Sequence, residues 1–412
     1  MTDSTTDVTD QQSVMDYPQP RAAKRPFDPP PRVLARAAEA PVSRVRVWNG
    51  STPWLITGNA ELRALTADPR VSADDRLPGY PHWNEGVAAA VANRPRAVAN
   101  VDGAEHTRLR RTTTRSFTFK QVEKLRPAIQ RITDQFIDEM LAGPQPVDLV
   151  TALALPVPSM VLCELLGVPY EDSEFFQNQA AKIIEREGTP DVHHGALKSM
   201  LDYVRGLVDT NIANPGGDGV IAEIAEHVES GTLSIGEAAI MGTALLIAGH
   251  ETTANMIALG VLAALQNPDQ LAILRDSDDP KEIANGVEEM LRYLSIVQAG
   301  ERRVATEDIE IAGVVIRAGE GIILDLPAGN WDISVFDDPD RLDLRRPTDR
   351  SLAFGFGPHN CIGQQLARAE LQIVYSTLFR RVPTLALAAS LDEIEFKHDS
   401  LGYGVYQLPV SW

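Results

Sequence analysis

Hydrophobic positions recur at helical spacing over most of the middle of the chain. From about residue 105 to residue 295, apolar side chains repeat every three or four positions and are interrupted by glycine and proline. This spacing predicts a series of amphipathic helices. Alternating segments surround the turn signal Asn49-Gly50, and further strands are predicted over residues 304–324 and near the carboxyl terminus. The pattern therefore predicts a mainly α protein with small β-sheets.

The amino-terminal segment differs in composition from the rest of the chain. Residues 1–31 are polar and then rich in proline, with too little apolar surface to fold alone, so we expect a loosely ordered tail. No internal repeat or long flexible linker follows, which favours a single large domain over residues 32–412. The amino terminus also lacks the continuous apolar core of a signal sequence or a membrane anchor. We therefore expect a protein of the cytoplasm, without a membrane partner.

One apolar stretch, at residues 238–265, requires a test for membrane insertion. The polar insert HETT, at residues 250–253, divides it, and the longest run without charge is shorter than the ~20 residues that span a bilayer. We interpret the stretch as a buried core helix. Polar groups in such a helix are costly unless they are hydrogen-bonded or used, so the insert is the first candidate functional site.

Charge and cysteine content exclude several classes of function. The 412 residues carry 38 Lys and Arg against 57 Asp and Glu, a formal charge of −19. This balance argues against sequence-independent binding to nucleic acid or to an anionic membrane. The chain has two cysteines, Cys163 and Cys361. Because an iron–sulfur cluster or a structural zinc site needs about four ligands rich in cysteine, neither can be built here, and a disulfide framework is excluded.

The strongest chemical signal surrounds Cys361. The segment FGFGPHNCIG, residues 354–363, precedes a helical run. Its glycines let the backbone turn tightly and approach a flat ligand, and the start of a helix favours a thiolate. Such a thiolate can be a nucleophile, a redox sensor or a metal ligand, and the plain alternative is a buried structural cysteine. Cys163, in the apolar run MVLCELLGV, is interpreted as a core residue.

This ten-residue pattern resembles the haem-binding loop of the cytochrome P450 family, F-G-x-G-x-H-x-C-x-G, and matches it at every fixed position. The resemblance implies haem b as the cofactor, with the Cys361 thiolate as the axial ligand of its iron and with Phe354 and Gly355 beside it. It also implies the fold of that family. That fold is one large helical domain with small sheets, in which haem lies between the long central helix and the helix after the cysteine loop.

The polar insert belongs to a second segment of this kind, AGHETT at residues 248–253, which resembles the family's A/G-G-x-D/E-T motif in the long central helix. By this resemblance Thr252 would assist the activation of O2 and Glu251 would deliver protons toward it. Ala248 and Gly249 would lie against the haem. A glycine weakens the helix beside a carboxylate and a hydroxyl that can hold water. The plain alternative is a threonine bonded back to its own helix and an exposed glutamate.

A third segment carries two opposite charges at helical spacing. Glu289 and Arg292 follow the pattern E-x-x-R, so they lie within reach of each other on one helix face. Such a pair alone carries little information. In the family the pair is buried and joined by a cation from the segment before the cysteine loop, for which Arg341 is the candidate. The role of these residues would be structural.

The segment VDGAEHTRLRR, residues 101–111, resembles the family's D-P-P-x-H-x-R-x-R segment. Two buried haem propionates need cationic or hydrogen-bonding partners. The resemblance assigns this role to four residues: His106, Arg110, Arg303 and His359. The chain departs from the family pattern at Gly103-Ala104, which replaces two prolines, and at Trp331, where an arginine is common.

The resemblance covers essentially the whole chain after the tail and implies a haem-thiolate monooxygenase that hydroxylates a hydrophobic small molecule with O2. Segments such as LALPVPSMVLCELLGVPYEDSEFFQ resemble actinomycete enzymes that act on macrolides, statin precursors, sterol-like compounds and xenobiotics. An apolar pocket is expected, with these residues in its wall: Ile247, Ala248, Ile296 and Tyr403. One alternative is a peroxide-using peroxygenase, which would be expected to lack the acid–alcohol pair. The other is a non-catalytic haem sensor or carrier, which would need neither Glu251 nor Thr252.

The source of electrons follows from what the chain lacks. Asn360 occupies the position of the third glycine of a dinucleotide fingerprint, and too few cysteines remain for a cluster. Electrons from NAD(P)H must arrive through separate proteins, and the resemblance to bacterial three-component systems implies ferredoxin and ferredoxin reductase, with the enzyme a soluble monomer. Cations at residues 108–120, with Arg345, Arg346 and Arg350, are candidates for a ferredoxin-docking patch. The alternative is that they are solvated helix charges.

Overall fold

The structure is a computed structural model and describes residues 14–91, 95–184 and 189–412. Helices dominate it, so the mainly α fold class is confirmed. The α-helices of the described residues are α1 (Pro31–Glu39), α2 (Asn59–Ala67), α3 (Glu85–Ala90), α4 (Gly103–Thr114), α5 (Phe119–Ala142), α6 (Pro156–Leu166), α7 (Ser173–Ile184), α8 (Pro190–Ala213), α9 (Val220–Glu229), α10 (Ile235–Gln266), α11 (Pro268–Asp276), α12 (Pro280–Leu294), α13 (Leu326–Asn330) and α14 (Gln364–Arg381).

The strands of the described residues are short, with two to five residues each. They are β1 (Met15–Asp16), β2 (Val42–Arg46), β3 (Trp54–Ile56), β4 (Val71–Ser72), β5 (Val147–Asp148), β6 (Glu301–Ala305), β7 (Ile309–Ile311), β8 (Val314–Ile316), β9 (Gly321–Leu324), β10 (Ala386–Leu387) and β11 (Pro409–Ser411). They form a six-stranded sheet in the order β1-β2-β3-β9-β6-β4, a three-stranded sheet in the order β10-β11-β5, and the hairpin β7-β8. The hairpin predicted around Gly50 is confirmed, because β2 and β3 pair antiparallel and Gly50 has φ +81.

The long central helix α10 begins at a capping box. The Ser234 hydroxyl accepts from the Glu237 N–H, and the Glu237 carboxylate accepts from the Ser234 N–H. The helix has 32 residues and is apolar enough to cross a membrane by length and composition. However, 72% of its most apolar window is buried inside the protein, where it packs against α6, α8 and α14. It is therefore the buried core helix that the sequence predicts.

The amino-terminal segment is packed against the rest of the chain from residue 14 onward, so the predicted loose tail is wrong for this part. β1 pairs in parallel with β2, and the Tyr17 hydroxyl donates to Asp325 Oδ2 at 2.9 Å. Arg21 is buried, donates to the backbone carbonyl after α12 at 2.9 Å, and lies over the Tyr403 ring at 4.1 Å. These hydrogen bonds and the ring contact hold a segment that has little apolar surface to bury. The first 13 residues of the predicted tail lie outside the described residues.

The charge pair on α12 is buried, but its third member differs from the prediction. Glu289 accepts two hydrogen bonds from Arg292, at 2.7 and 2.9 Å, and both side chains are fully buried. Arg346 completes the cluster, with its Nε 3.0 Å from Glu289 Oε1. The prediction of Arg341 is wrong, because its side chain is 68% exposed and pairs with Asp343. The chain turns back after Arg341, which contributes only its backbone carbonyl as an acceptor for Arg346.

The two departures from the family pattern have local explanations. Gly103, at the start of α4, has φ +58, a conformation that proline, with its φ fixed near −65°, does not adopt. Trp331 stacks on Tyr293 with 5.6 Å between ring centroids, and its indole N–H donates to the Tyr293 carbonyl at 3.2 Å. Trp331 therefore fastens the segment after α13 to the end of α12.

Candidate active site

The loop of residues 354–363 presents Cys361 at the start of α14. Gly357 has φ +75, and a Cβ there would lie 2.5 Å from the Thr66 carbonyl oxygen. A side chain at this position would therefore be both strained and overlapping. The Cys361 N–H donates to the Phe354 carbonyl at 2.9 Å, which closes the loop. The glycine and this hydrogen bond fix where the thiol points.

Cys361 opens onto a cavity of about 240 Å³ that α10 and α14 also line. Apolar side chains from several helices form most of its wall, among them Leu162, Leu245 and Leu366. The residues of the wall that the sequence analysis singled out are Ala248, Gly249, Thr252, Ile296, Phe354, Gly355, His359 and Cys361. The structure thus brings the polar insert of α10 and the cysteine loop to one cavity.

The thiol of Cys361 is held in a mixed electrostatic setting. Burial raises the pKa of Cys361, although the Gly363 N–H and the guanidinium groups of Arg110 and Arg368 act in the opposite direction. Protein surrounds the side chain, yet it has accessible surface because one side faces the cavity. The helix start alone therefore does not produce a thiolate. A thiol placed in this way loses its proton when a metal ion offsets the cost of burying the charge.

Two residues that we expected in the pocket wall do not lie in it. Tyr403 is fully buried, with its ring stacked 5.7 Å from that of Phe396. Its N–H donates to the Ile296 carbonyl at 2.7 Å, so it supports the wall from behind. Ile247 packs against the apolar core, and its neighbour Ala248 faces the cavity. Consecutive residues of a helix point in different directions, so Ile247 and Ala248 cannot both face the cavity.

The hydroxyl groups of the polar insert are bonded within α10. Thr252 Oγ1 donates to the Ala248 carbonyl at 2.7 Å, and Thr253 Oγ1 donates to the Gly249 carbonyl at 3.2 Å. The Thr252 hydroxyl at rest is therefore bonded back to its own helix, as in the plain alternative. Thr252 nevertheless also lines the cavity. A Cβ on Gly249 would lie 2.8 Å from Leu162 Cδ1. The glycine thus allows α6 to approach α10 closely.

Glu251 is buried but is not part of the cavity wall. Its Oε1 lies 2.7 Å from Lys397 Nζ, and its Oε2 lies 3.8 Å from His250 Nε2. Burial lowers the pKa of His250 and favours its neutral form, so Lys397 is the cation that holds the carboxylate. Lys397 Nζ also donates to Asn255 Oδ1 at 3.1 Å. Lys397 could not be predicted from the sequence, because only the packing of the carboxyl-terminal segment brings it to α10.

Two histidines and an aspartate meet at one rim of the cavity. The rings of His106 and His359 lie 4.3 Å apart between centroids, and His359 Nε2 lies 3.2 Å from Asp102 Oδ1. Burial alone would raise the pKa of Asp102, but hydrogen bonds from His359, Ser72 and the Ala73 N–H outweigh it and lower the pKa to about 2. Asp102 is therefore ionised and orients His359. Asp102 was not among the predicted site residues, although it is the N-cap residue of α4.

The two arginines predicted to bind the propionates have different partners. Arg110 donates to the carbonyl and side-chain oxygens of Asn360, both at 2.7 Å, directly before the cysteine. Arg303 forms an ion pair with Glu301 at 2.8 Å, and Glu301 itself lines the cavity. Arg110 therefore lies beside the loop with the two histidines, whereas Arg303 reaches the cavity through Glu301.

The residues present fit a haem. They combine a thiol that faces the cavity, apolar walls, and a rim of imidazole and guanidinium groups suited to propionates. Over the described ranges, no group of three or more His, Cys, Asp and Glu side chains could hold a bare metal ion. A metal bound at Cys361 therefore needs most of its ligands from elsewhere, as a porphyrin provides.

Comparison with known proteins agrees with this geometry. The family model described as Cytochrome P450 matches residues 283–385. Cytochrome P450 CYP105Q4 from Mycobacterium marinum (strain ATCC BAA-535 / M) is 60% identical over 401 residues, which cover 97% of this chain and 96% of that protein. The crystal structure of GfsF, a protein of Streptomyces halstedii, has a TM-score of 0.90 and 54% identity and covers 97% of this chain and 100% of that chain.

The crystal structure of a hydroxylase with a bound small molecule is also similar to this chain. The mycinamicin VIII C21 methyl hydroxylase MycCI from Micromonospora griseorubida, bound to mycinamicin VIII, has a TM-score of 0.89 and 38% identity, with 97% of this chain and 100% of that chain covered. The chain therefore belongs to the cytochrome P450 family. It is an enzyme of the monooxygenase type, with haem bound through a cysteine thiolate as its cofactor. The resemblance seen in the sequence is confirmed.

Proposed function

We propose that this protein hydroxylates a hydrophobic small molecule with O2, using electrons from NAD(P)H that pass through ferredoxin reductase and ferredoxin. One observation carries the proposal: Cys361 and Thr252, from distant parts of the chain, line one largely apolar cavity. Cys361 Sγ would hold the iron of the haem. When bound, the haem supplies the oxygen chemistry, in which one atom of O2 enters a C–H bond and the other becomes water. The unpaired cysteines suit the reducing cytoplasm, where we place the enzyme as a monomer.

The rim residues bind and orient the cofactor. Arg110 would offset the charge of a propionate with its guanidinium group, and His106 and His359 would donate ring N–H groups to the propionates. Arg303 has five N–H donors, which is enough for a propionate as well as Glu301. Four residues, two from α10 and two from the cysteine loop, line the cavity and would contact the bound macrocycle: Ala248, Gly249, Phe354 and Gly355.

The acid–alcohol pair of α10 moves protons. Thr252 holds its hydroxyl proton against the Ala248 carbonyl at rest, and rotation about the side chain turns this proton toward the cavity. Glu251 lies outside the wall and is held as a carboxylate by Lys397, so it can pass on a proton only after this ion pair opens and the carboxylate takes up a proton from solvent. Movement of the Glu251 side chain is therefore part of its role.

The apolar wall of the cavity, which the haem would share with the substrate, supports an apolar substrate. Apolar side chains dominate it, including Phe117, Leu245, Leu291 and Val297. Burial of apolar surface contributes about 25 cal/mol per Å², so an apolar ligand gains most from this site. We expect a macrolide, a polyketide, or a statin-like, sterol-like or xenobiotic compound, and the mycinamicin bound to MycCI supports a ligand of this kind.

The structure changes the set of cations available to ferredoxin. Arg346 is buried against Glu289, Arg108 pairs with Glu237, and Arg345 pairs with Glu282. The docking patch is therefore reduced to four exposed residues: Arg111, Arg115, Lys120 and Arg350. Arg111 shares α4 with Arg110, which contacts the residue before Cys361. This proximity supports docking on the thiolate side of the haem.

Reconstitution of the electron-transfer chain tests the proposal. With ferredoxin, its reductase, NADPH and a compound that changes the haem spin state, we expect hydroxylated product that depends on every component. Thr252→Ala should release peroxide instead of product while haem content persists. Turnover with peroxide but not with ferredoxin would indicate a peroxygenase. Haem binding without turnover under either condition would indicate a sensor or carrier.

The docking patch has its own test. The double variant Arg111→Glu and Arg115→Glu should raise the KM for ferredoxin and weaken its dependence on salt. Arg205→Glu, an exposed charge reversal on α8, is the control. Equal KM values for ferredoxin in the double variant and the control would show that the patch does not bind ferredoxin.

A further inference from the structure

Arg21, in the amino-terminal segment, is a buried arginine that the reaction proposed above does not use. It is 5% exposed, and an arginine is almost never buried to this extent unless it is paired. Its guanidinium group donates to three backbone carbonyls, of Phe27 at 2.9 Å, Leu294 at 3.3 Å and Ser295 at 2.9 Å. The last two lie at the end of α12, 273 and 274 positions away along the chain. Arg21 therefore joins the beginning of the chain to a distant turn of the backbone.

The turn that Arg21 contacts leads directly into the wall of the cavity. Ser295, the C-cap residue of α12, has φ +38, which lies in the left-handed region that residues with a side chain seldom adopt. The next two residues, Ile296 and Val297, both line the cavity. A strained conformation persists only where its surroundings hold it, and Arg21 binds the carbonyl of the strained residue. The places of the two wall residues therefore depend on a contact outside the cavity.

The same guanidinium group also contacts the carboxyl-terminal segment that supports this wall. It lies over the Tyr403 ring, 4.1 Å from the ring centroid, which is a cation–π contact in a buried setting. The Tyr403 N–H donates to the Ile296 carbonyl at 2.7 Å. The Gln298 N–H donates to the Leu401 carbonyl at 3.2 Å. Arg21 thus contacts both segments at the place where backbone hydrogen bonds join them.

These contacts require an arginine. Its planar guanidinium group can lie flat on a ring while its edge donates to several carbonyls, whereas the ammonium of a lysine is a compact charge with three donors. Burial lowers the pKa of this arginine, and three neighbours act in the opposite direction: Tyr403, Asp325 and Asp28. An arginine stays charged in proteins, so Arg21 supplies a permanent cation with directed donors.

We propose that Arg21 is a positioning residue of the substrate site, which holds the turn at Ser295 and thereby sets where Ile296 and Val297 lie in the cavity. Arg21 itself does not touch the substrate. Its replacement should change how well a bulky ligand fits the cavity and should leave the iron site as it is. The inference deepens the proposed function and rests on it for the role of the cavity as the substrate site.

Two nitrogen ligands of haem iron test this inference without turnover. Imidazole needs the iron alone, whereas 4-phenylimidazole also places a phenyl ring in the cavity, and spectral titration of the haem-loaded protein measures the Kd of each. For Arg21→Gln we expect a several-fold higher Kd for 4-phenylimidazole, with the Kd for imidazole and the haem content unchanged. Arg21→Lys should give an intermediate Kd, because the charge and some of the donors remain.

Arg25→Gln is the matched control, with the same substitution in the same segment. Arg25 fastens this segment through Asp28 and Asp340, which do not line the cavity that Cys361 lines. We expect Arg25→Gln to bind both ligands as the wild type does. Equal increases in the Kd for 4-phenylimidazole in Arg21→Gln and Arg25→Gln would show a general loosening of the segment and would overturn the inference.

Hydrogen exchange shows where the structure changes. In Arg21→Gln the amides of Gln298 and Tyr403, which donate between the two segments, should exchange faster than in the wild type and in Arg25→Gln. A wild-type Kd for 4-phenylimidazole in Arg21→Gln overturns the inference, as does an equal rise in the Kd for both ligands. If Arg21→Gln binds no haem, the same comparison with Arg21→Lys decides the question. The proposed function would be unaffected by these results, because none of them depends on O2 or on ferredoxin.

Discussion

Lys397 Nζ lies 2.7 Å from Glu251 Oε1, and this ion pair holds the carboxylate outside the cavity that Thr252 lines. The two side chains are 12% and 10% exposed and come from positions 146 residues apart in the sequence. In such a setting each charge depends on the other, because a single buried charge keeps its desolvation cost and loses the attraction that offsets it.

Lys397→Met should therefore destabilise the protein by about 3 kcal/mol, because it leaves Glu251 unpaired. Adding Glu251→Gln to Lys397→Met should restore part of the loss, because the uncompensated charge is removed as well. Urea unfolding of the wild type, the two single variants and the double variant measures this coupling. Strictly additive losses would show that the ion pair has no energetic role.

Arg346→Met should cost about 3 to 5 kcal/mol, because Arg346 is a buried partner of Glu289. Arg341→Met is the matched comparison, with the same substitution five positions earlier. Its exposed pair with Asp343 should contribute no more than about 1 kcal/mol. Thermal or urea unfolding distinguishes the two, and the reverse order of stabilities would return the role to Arg341.

Gly357→Ala should weaken the cysteine loop, because the residue has φ +75 and its Cβ would meet the Thr66 carbonyl. Gly313→Ala is the control, with φ +78 and nothing within 4 Å of its Cβ. The control isolates the backbone cost, which is about 1 to 2 kcal/mol. We expect a larger loss of stability and of haem content in Gly357→Ala. Equal effects would show that the contact with Thr66 relaxes at no cost.

His106 should make the haem-free protein sensitive to acid. Burial and then the charges of His359 and Arg110 lower the pKa of His106 from 6.5 to about 4. Between these values the unfolded chain binds a proton that the folded chain does not, so the free energy of unfolding falls as pH falls. His106→Gln should reduce this fall, because it removes one group whose pKa changes on folding. All other titratable groups are the same in both proteins, so their contributions cancel in the difference between the two curves. Urea unfolding across the window measures it, and parallel curves for the two proteins would contradict the pKa shift.

Local patterns predicted the features that depend on neighbours in the sequence. The apolar residues of α10 and their polar interruption predicted a core helix. The glycines of residues 354–363 indicated a tight loop before α14. Thr252 and Cys361 were placed at one site because each matched a motif whose partner is known from the family. None of these predictions required a distance between remote segments.

Features that depend on long-range packing were missed or wrong. Lys397 reaches Glu251 and Arg346 reaches Glu289 only through the path of the folded chain, which composition and spacing do not reveal. The amino-terminal segment was expected to be loose because it is polar, yet buried Arg21 anchors it through hydrogen bonds and a ring contact. Tyr403 was placed in the pocket on the strength of its region, and the structure places it one layer behind.

The central claim is that Cys361 binds the haem iron, and the carbon monoxide difference spectrum of the reduced protein tests it most directly. Cys163 is the natural control, because it is buried in the core and burial raises its pKa to about 12. We predict a red-shifted, thiolate-type Soret band in the wild type and in Cys163→Ser, and its loss in Cys361→Ser. A wild-type protein without this band, or a Cys361→Ser variant that retains it, would contradict the account.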